Sequence, residues 1–323
     1  MLISVVVPMY KEEAVARECH RRLSKVLTPL PYDSEIIYVN DGSSDGTGTI
    51  LNELQAEDER VRVIHFSRNF GHQNAVTAGI LNACGDAVIL IDADLQDPPE
   101  LIAQMVETWQ KGYEVVYGER KKRAGERRFK LATARWFYQL LDQLSDTKIP
   151  KNTGDFRLMD RSVVEAFRQM PEKNKFIRGM VSWVGFRQTA LLYERKERFA
   201  GETHYPLRKM LKLALDGILS FSTKPLKLVA GLGFVTVLIS FIVLIYSILQ
   251  KFFGYTDQGW TSLMTAVTFF AGVQLISLGI IGEYIGRIYD ESRDRPNYII
   301  ADMRGFQHAK DAPFDPYGKH LPR

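Results

Sequence analysis

Cysteine is scarce in this chain. Only Cys19 and Cys84 occur among 323 residues, too few and too far apart for a disulfide framework or a thiolate metal site, and suited to a reducing compartment. No G-x-G-x-x-G and no Walker A sequence is present, so neither a Rossmann dinucleotide site nor a P-loop has its fingerprint. Charge of one sign is missing too. With 42 Lys and Arg against 38 Asp and Glu, the formal net charge is +4, which makes no case for nucleic acid as a partner. The start, MLISVVVPMY, lacks a basic residue ahead of its apolar run and breaks at Pro8, unlike a signal peptide. Internal repeats and low-complexity segments are absent.

What is present in abundance is apolar sequence near the C-terminus. Residues 228–250 and 260–282 carry no charge, and each is long enough to cross a bilayer as a helix. The connection KFFGYTDQG, residues 251–259, is short, so the two form a hairpin. Arg208, Lys209, Lys212, Lys224 and Lys227 precede the pair, and Arg287, Arg293 and Arg295 follow it. The connection has Lys251 alone. This asymmetry puts both ends, and the large N-terminal region, on the cytoplasmic side. Leu207, Met210, Leu211, Leu215, Ile218 and Leu219 fall near one helical face of residues 205–227, the pattern of helices lying in the membrane interface.

The first 120 residues alternate strand and helix signals. ISVVVP precedes a helix from about Glu12 to Leu27, EIIYVN one opening near Asp45, VRVIHF one opening near Gly71, and AVILID one opening at Pro98, before EVVYG. Such alternation predicts a mostly parallel sheet with helices on both faces. Ligands then sit outside the carboxyl ends of the strands. The polar clusters PMYKEE, NDGSSDGT, SRNFGHQN and DADLQD all fall there. After a basic run, ERKKRAGERRFK at 119–130, a helix is expected over about 127–144, then a short strand or turn with Asp155 at its start. The tail after Pro296 reads as polar and peripheral.

In VILIDADLQDPPE, three carboxylates crowd the end of a core strand. Like charges this close call for a cation. Asp94 and Gln96 offer hard oxygens of the kind Mg²⁺ or Mn²⁺ takes beside substrate phosphates. A solvated turn is the plain alternative, and Asp97 reads as the N-cap ahead of Pro98. In NDGSSDGT, Asp45 reads as a helix cap, while Asp41 points into the same crevice as Asp94.

The ordered series V-P-M-Y-K-E-E, N-D-G-S-S-D-G-T, R-N-F-G-H-Q-N-A and D-A-D-L-Q-D-P-P, continued by G-E-R, G-D-F-R-L, E-R-F-A-G-E-T and G-E-Y-I-G-R-I-Y, resembles inverting glycosyltransferases of family 2. Within that family it is most similar to the polyprenyl-phosphate glycosyltransferases of the bactoprenol glucosyltransferase kind, with dolichol-phosphate mannose synthases more distant. The resemblance covers about residues 2–300. It implies a GT-A (Rossmann-like) α/β domain over 1–204, interface helices over 205–227, and a transmembrane hairpin with a cytoplasmic tail over 283–323. It also implies transfer of a hexose from a UDP-sugar to polyprenyl phosphate at the bacterial inner membrane. Pro8, Tyr10, Glu12, Asp41 and Asp92 would border the nucleobase and ribose. Asp94 and Gln96 would hold Mg²⁺ or Mn²⁺, Arg120 and Arg198 would face phosphates, and Asp155 would sit beside the reacting sugar. The family often has Asn where this chain has Lys11, which therefore receives no role.

Arg127, Arg128 and Lys130, with Thr133 one turn further on, could bind the acceptor phosphate, Lys130 and Thr133 being favoured by the same resemblance; a solvated loop drawn loosely to anionic lipid is the plain alternative. His72 reads as a capping or packing residue. Glu283 and Arg287 are spaced for an i, i+4 pair. Glucose is the expected sugar, with N-acetylglucosamine the runner-up, and relatives suggest a homo-oligomer, a tetramer. A processive polysaccharide synthase would carry a Q-x-x-R-W motif, and the nearest string here is T-A-R-W at 133–136. A membrane protein that only binds nucleotide sugars is the non-enzymatic alternative.

Overall fold

The computed structural model describes residues 1–121, 150, 153–173, 175–194, 224–252 and 259–306. An eight-stranded mixed sheet organises them, in the order β7 (Gln188–Tyr193), β5 (Val115–Arg120), β6 (Thr153–Asp160), β4 (Ala87–Leu90), β1 (Leu2–Met9), β2 (Asp33–Asn40), β3 (Val61–Phe66), β8 (Ile300–Arg304). The first four strands, β1 to β4, pair in parallel, as the alternation predicts. Their side chains alternate between two cores. Ile3, Val5 and Val7 with Ile36 and Tyr38 face α1 (Ala16–Leu27), α2 (Thr47–Glu57) and α4 (Ile102–Gln110). Val6, Ile37, Val39 and Ile64 face α3 (His72–Asn82), α5 (Arg161–Arg168) and α6 (Ile177–Trp183). Burial on both faces explains why these strands read as continuous apolar runs.

Several expectations need correction. The first helix starts at Ala16, because residues 12–15 form a turn in which the Glu12 carbonyl accepts the amides of Val15 and Ala16. That turn follows Lys11, whose φ of 57° is left-handed. Asn tolerates this conformation best among residues with a side chain, which gives Asn at this place in the family a backbone reason. Of the short strand or turn expected around Asp155, the strand forms: β6 (Thr153–Asp160) has eight residues, begins two before Asp155 and lies antiparallel between β4 and β5 (Val115–Arg120). The sheet is therefore mixed, with β7 (Gln188–Tyr193) parallel to β5 at one edge.

The described start of the tail, residues 298–304, is not peripheral. β8 (Ile300–Arg304) pairs antiparallel with β3 and closes the opposite edge. Tyr298 is buried and stacks on Phe66 at 4.9 Å between ring centroids, while the Ser67 amide donates to the Ile299 carbonyl. The apolar run here is only Tyr298 to Ala301, of which Tyr298 alone is fully buried, too short to read as a strand by itself.

Two long helices precede that strand, α7 (Lys224–Phe252) and α8 (Trp260–Ser292). At about 1.5 Å per residue, both exceed the roughly 30 Å of a bilayer core. Phe234 and Val237 of α7 and Leu275, Ile276 and Ile288 of α8 are exposed, as in helices built for lipid. Among the described residues, Phe269–Ser292 is the one stretch long and apolar enough to cross a membrane, with a mean hydropathy of 1.5, and Val229–Ile239 is a shorter apolar stretch. The end of α8 is tied to the globular region. The Lys173 amide donates to Glu291 at 2.6 Å, and its ammonium donates to Asp294 at 3.1 Å and to the Arg295 carbonyl at 2.7 Å. Glu283 and Arg287 form their expected pair at 3.7 Å. The helix expected over 127–144, the interface helices up to residue 223 and most of the 251–259 connection lie outside the described residues.

Tyr298→Ala tests the docked tail. Emptying a stacked, buried ring position lowers stability by about 3 kcal/mol, read by denaturation of the detergent-solubilised protein. A loss under about 1 kcal/mol would show that the return strand adds little to the fold.

Candidate active site

The parallel strands end together. Met9 pairs with Asn40 and Asn40 with His65, and the Asp41 amide donates to the Met9 carbonyl. Because β6 runs against β4, its amino end lies at this same edge. The pairing reaches Leu90 with Arg157, and continued two residues it sets Asp92 across from Asp155. Arg157 donates to the carbonyls of Asp155 and Gly154 and so fixes the backbone there.

Asp155 is buried, with a side chain only 4% exposed. Arg178 Nε donates to its Oδ1 at 2.6 Å, and His72 Nε2 lies 3.1 Å from its Oδ2. Burial alone would raise the Asp155 pKa, but the charge of Arg178 and the bond to His72 hold it well below the ordinary carboxylate value. His72 Nε2 also lies 3.6 Å from Asp92 Oδ1, a buried oxygen with no hydrogen-bond partner. Burial pulls the His72 pKa down, yet the bond to Asp155 and the charges of Asp92 and Asp155 outweigh it and push the ring up to about 9. Asp92, desolvated and relieved only in part by His72, is pushed up to about 6. His72 thus belongs to the site and not to a cap: no side chain caps α3, whose N-cap residue is Gly71.

Arg120, at the end of β5, approaches from the other side. Its Nε donates to the Tyr193 hydroxyl at 3.1 Å, and its Nη2 lies 3.5 Å from Asp97. Tyr193 also donates to Asp97, which is buried. Asp97 is therefore no helix cap; the 3₁₀ turn Pro99–Leu101 has no side-chain cap. Gly154, beside Asp155, leaves room for the Arg120 guanidinium, which a Cβ there would press aside. Burial lowers the Arg120 pKa, and Asp97 and Tyr193 more than offset this, so the net shift is upward.

Asp94 and Gln96 flank Leu95, whose φ is 58°. That left-handed residue folds the segment so that Asp94 Oδ1 accepts the Gln96 amide at 3.1 Å. One carboxylate and one amide oxygen, half-buried at the crevice, match the hard-oxygen chemistry of Mg²⁺ or Mn²⁺. Among the described residues, no three His, Cys, Asp or Glu side chains are grouped to hold a metal by themselves. A cation here would need phosphate oxygens as well.

Asp41 is engaged elsewhere. Its carboxylate accepts the amides of Phe70 at 2.7 Å and Gly71 at 3.0 Å, fastening the loop that carries His72. Burial raises its pKa, and those two amides draw it part of the way back. Gly42 lets this happen: its φ is 63°, and a side chain there would meet the backbone of Arg68 and Asn69. Asp45 accepts the Thr47 amide at 3.2 Å and opens α2. Pro8 is buried at the end of β1, Tyr10 is exposed, and the Glu12 amide donates to Thr47 Oγ1 at 2.9 Å. Arg128, Lys130, Thr133 and Arg198 lie outside the described residues.

Residues 4–168 match glycosyl transferase family 2, and residues 224–288 match the GtrB C-terminal hairpin. The uncharacterized glycosyltransferase YkcC of Bacillus subtilis is 53% identical over 314 residues, 95% of each chain. The prophage bactoprenol glucosyl transferase homolog of Escherichia coli K12 is 44% identical over 305 residues, 94% of this chain and all of that one (100%). The bactoprenol glucosyl transferase of Shigella phage SfV is also 44% identical over 305 residues, covering 94% of this chain and 99% of that one.

The raised His72 pKa links stability to pH. The charged ring contributes fully below its ordinary value of 6.5, and the contribution is lost as pH rises through about 9. Melting curves across that window should show the parent losing more stability than His72→Gln. Parallel curves would remove the charged ring from the fold's balance.

Proposed function

This chain belongs to glycosyl transferase family 2, and from that membership we propose that it moves glucose from UDP-glucose to undecaprenyl phosphate, with inversion to a β-linked lipid product. The observation that carries the reading is the meeting of Asp92, Asp155 and Arg120 at the carboxyl ends of the strands, in a chain with 44% identity to bactoprenol glucosyl transferases over almost its whole length.

Pro8, Tyr10, Glu12 and Asp41 border the uracil and ribose, Asp41 by shaping the loop beside them, and Asp92 lies on the ribose side. Asp94 and Gln96 are the residues that would hold Mg²⁺ or Mn²⁺, and a cation there supplies neutralisation of the diphosphate. Arg120 and Arg198 take part of the phosphate charge that grows as the sugar departs. Arg120 is suited to this because Asp97 and Tyr193 hold it in place. Asp155 faces the sugar. Arg128, Lys130 and Thr133 receive the acceptor phosphate, whose second pKa of about 6 leaves it mostly dianionic at neutral pH and in little need of a base.

The protein is membrane-associated, and the hairpin is read as two crossings with the catalytic domain and both ends cytoplasmic. The pairing of β8 with β3 supports an even number of crossings, since the chain leaves the domain before α7 and rejoins it after α8. The apolar faces of α7 and α8 are covered by lipid and by further copies of the chain in a homo-oligomer.

Protein in mild detergent is given undecaprenyl phosphate and labelled UDP-glucose, with Mg²⁺, with Mn²⁺ or with chelator. Label is expected in the organic phase only when lipid and metal are both present. Transfer from another UDP-sugar alone would correct the sugar, and no lipid product from any donor would overturn the reading. Asp155→Asn is expected to lower turnover by about a hundredfold or more, the scale of losing a preorganised electrostatic group. Near-normal turnover would take Asp155 out of the catalytic set.

A further inference from the structure

The glucosyl-transfer reading leaves His72 and Arg178 without a task, although they hold both oxygens of Asp155 at 3.1 Å and 2.6 Å. The two come from separate helices that are themselves joined. Gln73, beside His72, accepts the amide of Ile177, beside Arg178, at 3.0 Å. The ring also faces Asp92 Oδ1, which has no hydrogen-bond partner of its own. A buried carboxylate with a cationic group on each oxygen is fixed in direction and is a poor proton acceptor.

We propose that His72 is a positioning residue for the transfer reaction: with Arg178 it grips Asp155, so that this carboxylate meets the sugar as a fixed negative charge and not as a general base. This assignment rests on the transferase reading above. A fixed negative charge favours positive charge growing at the anomeric carbon, whereas a dianionic phosphate acceptor has no proton that must be removed. The His72 side chain keeps 44% of its surface exposed while it holds this contact. The raised His72 pKa and the depressed Asp155 pKa agree with the same arrangement.

The test has one readout that needs no turnover. Full-length protein carrying ¹⁵N-labelled histidine is examined by NMR in detergent, without donor, at about pH 8, where an unperturbed imidazole is neutral. The His72 ring, identified by the signal missing from His72→Gln, is expected to be charged in the parent and neutral in Asp155→Asn. A neutral ring in the parent, or one that Asp155→Asn leaves unmoved, overturns the proposal. Absence of any lipid product from the parent would defeat the transferase reading while leaving this result to judge the grip.

Kinetics give the second readout. His72→Gln keeps an N–H for Asp155 but not the charge. It is expected to lower kcat by about tenfold with little change in KM for UDP-glucose, and to add a fall in kcat on the acid side beyond the one set by the acceptor phosphate. Arg178→Lys should recover much of what Arg178→Ala loses. Equal kcat and equal pH profiles for parent and His72→Gln would overturn the positioning role.

Discussion

A carboxylate buried at the head of a sheet persists as an anion only where positive charge meets it. Asp155 has that from Arg178 and His72, and the rest of the site is arranged around this contact. The His72 loop is fastened by Asp41, whose position depends on the end of β2 and on Gly42. Arg178 is placed by α6, whose first amide is held by Gln73 from the start of α3. Moving any of these elements would leave a buried charge unpaired, so packing and electrostatics enforce the same geometry.

The second side of the site follows the same logic with different parts. Arg120 is aimed by Asp97 and Tyr193, and it occupies the space that the missing side chain of Gly154 leaves beside Asp155.

The helical hairpin is joined to this region at two places, through β8 on β3 and through Lys173 at the end of α8. Lys173 lies shortly before α6, the helix that carries Arg178. The docking of the end of α8 and the placement of Arg178 on Asp155 thus share one short stretch of chain.

The alternating strands and helices, the crevice at the strand ends and the paired apolar helices were legible from local pattern, because side-chain period and helix length are local properties. Asp92, Asp94, Gln96 and Asp155 could be singled out together in the sequence because each lies near a strand end and the ordered motifs resemble one family. His72 had a positional signal, since it follows β3 as Asp41 follows β2, but a helix start gives histidine several uses. Arg178 had none; KFIRG resembles no motif, and only the packing of α6 brings it to Asp155. Asp97 looked like a cap because Pro98 follows it, yet its partners come from β5 and β7, distant in sequence. The return strand was missed because β8 is short and polar on its outer face. The sequence by itself determined the alternating strands and helices of the first 120 residues and the two long apolar helices, because burial periodicity is written residue by residue. Only the tertiary structure decided which charges meet, because the antiparallel insertion of β6 and the docking of α6 bring together residues that no local spacing relates.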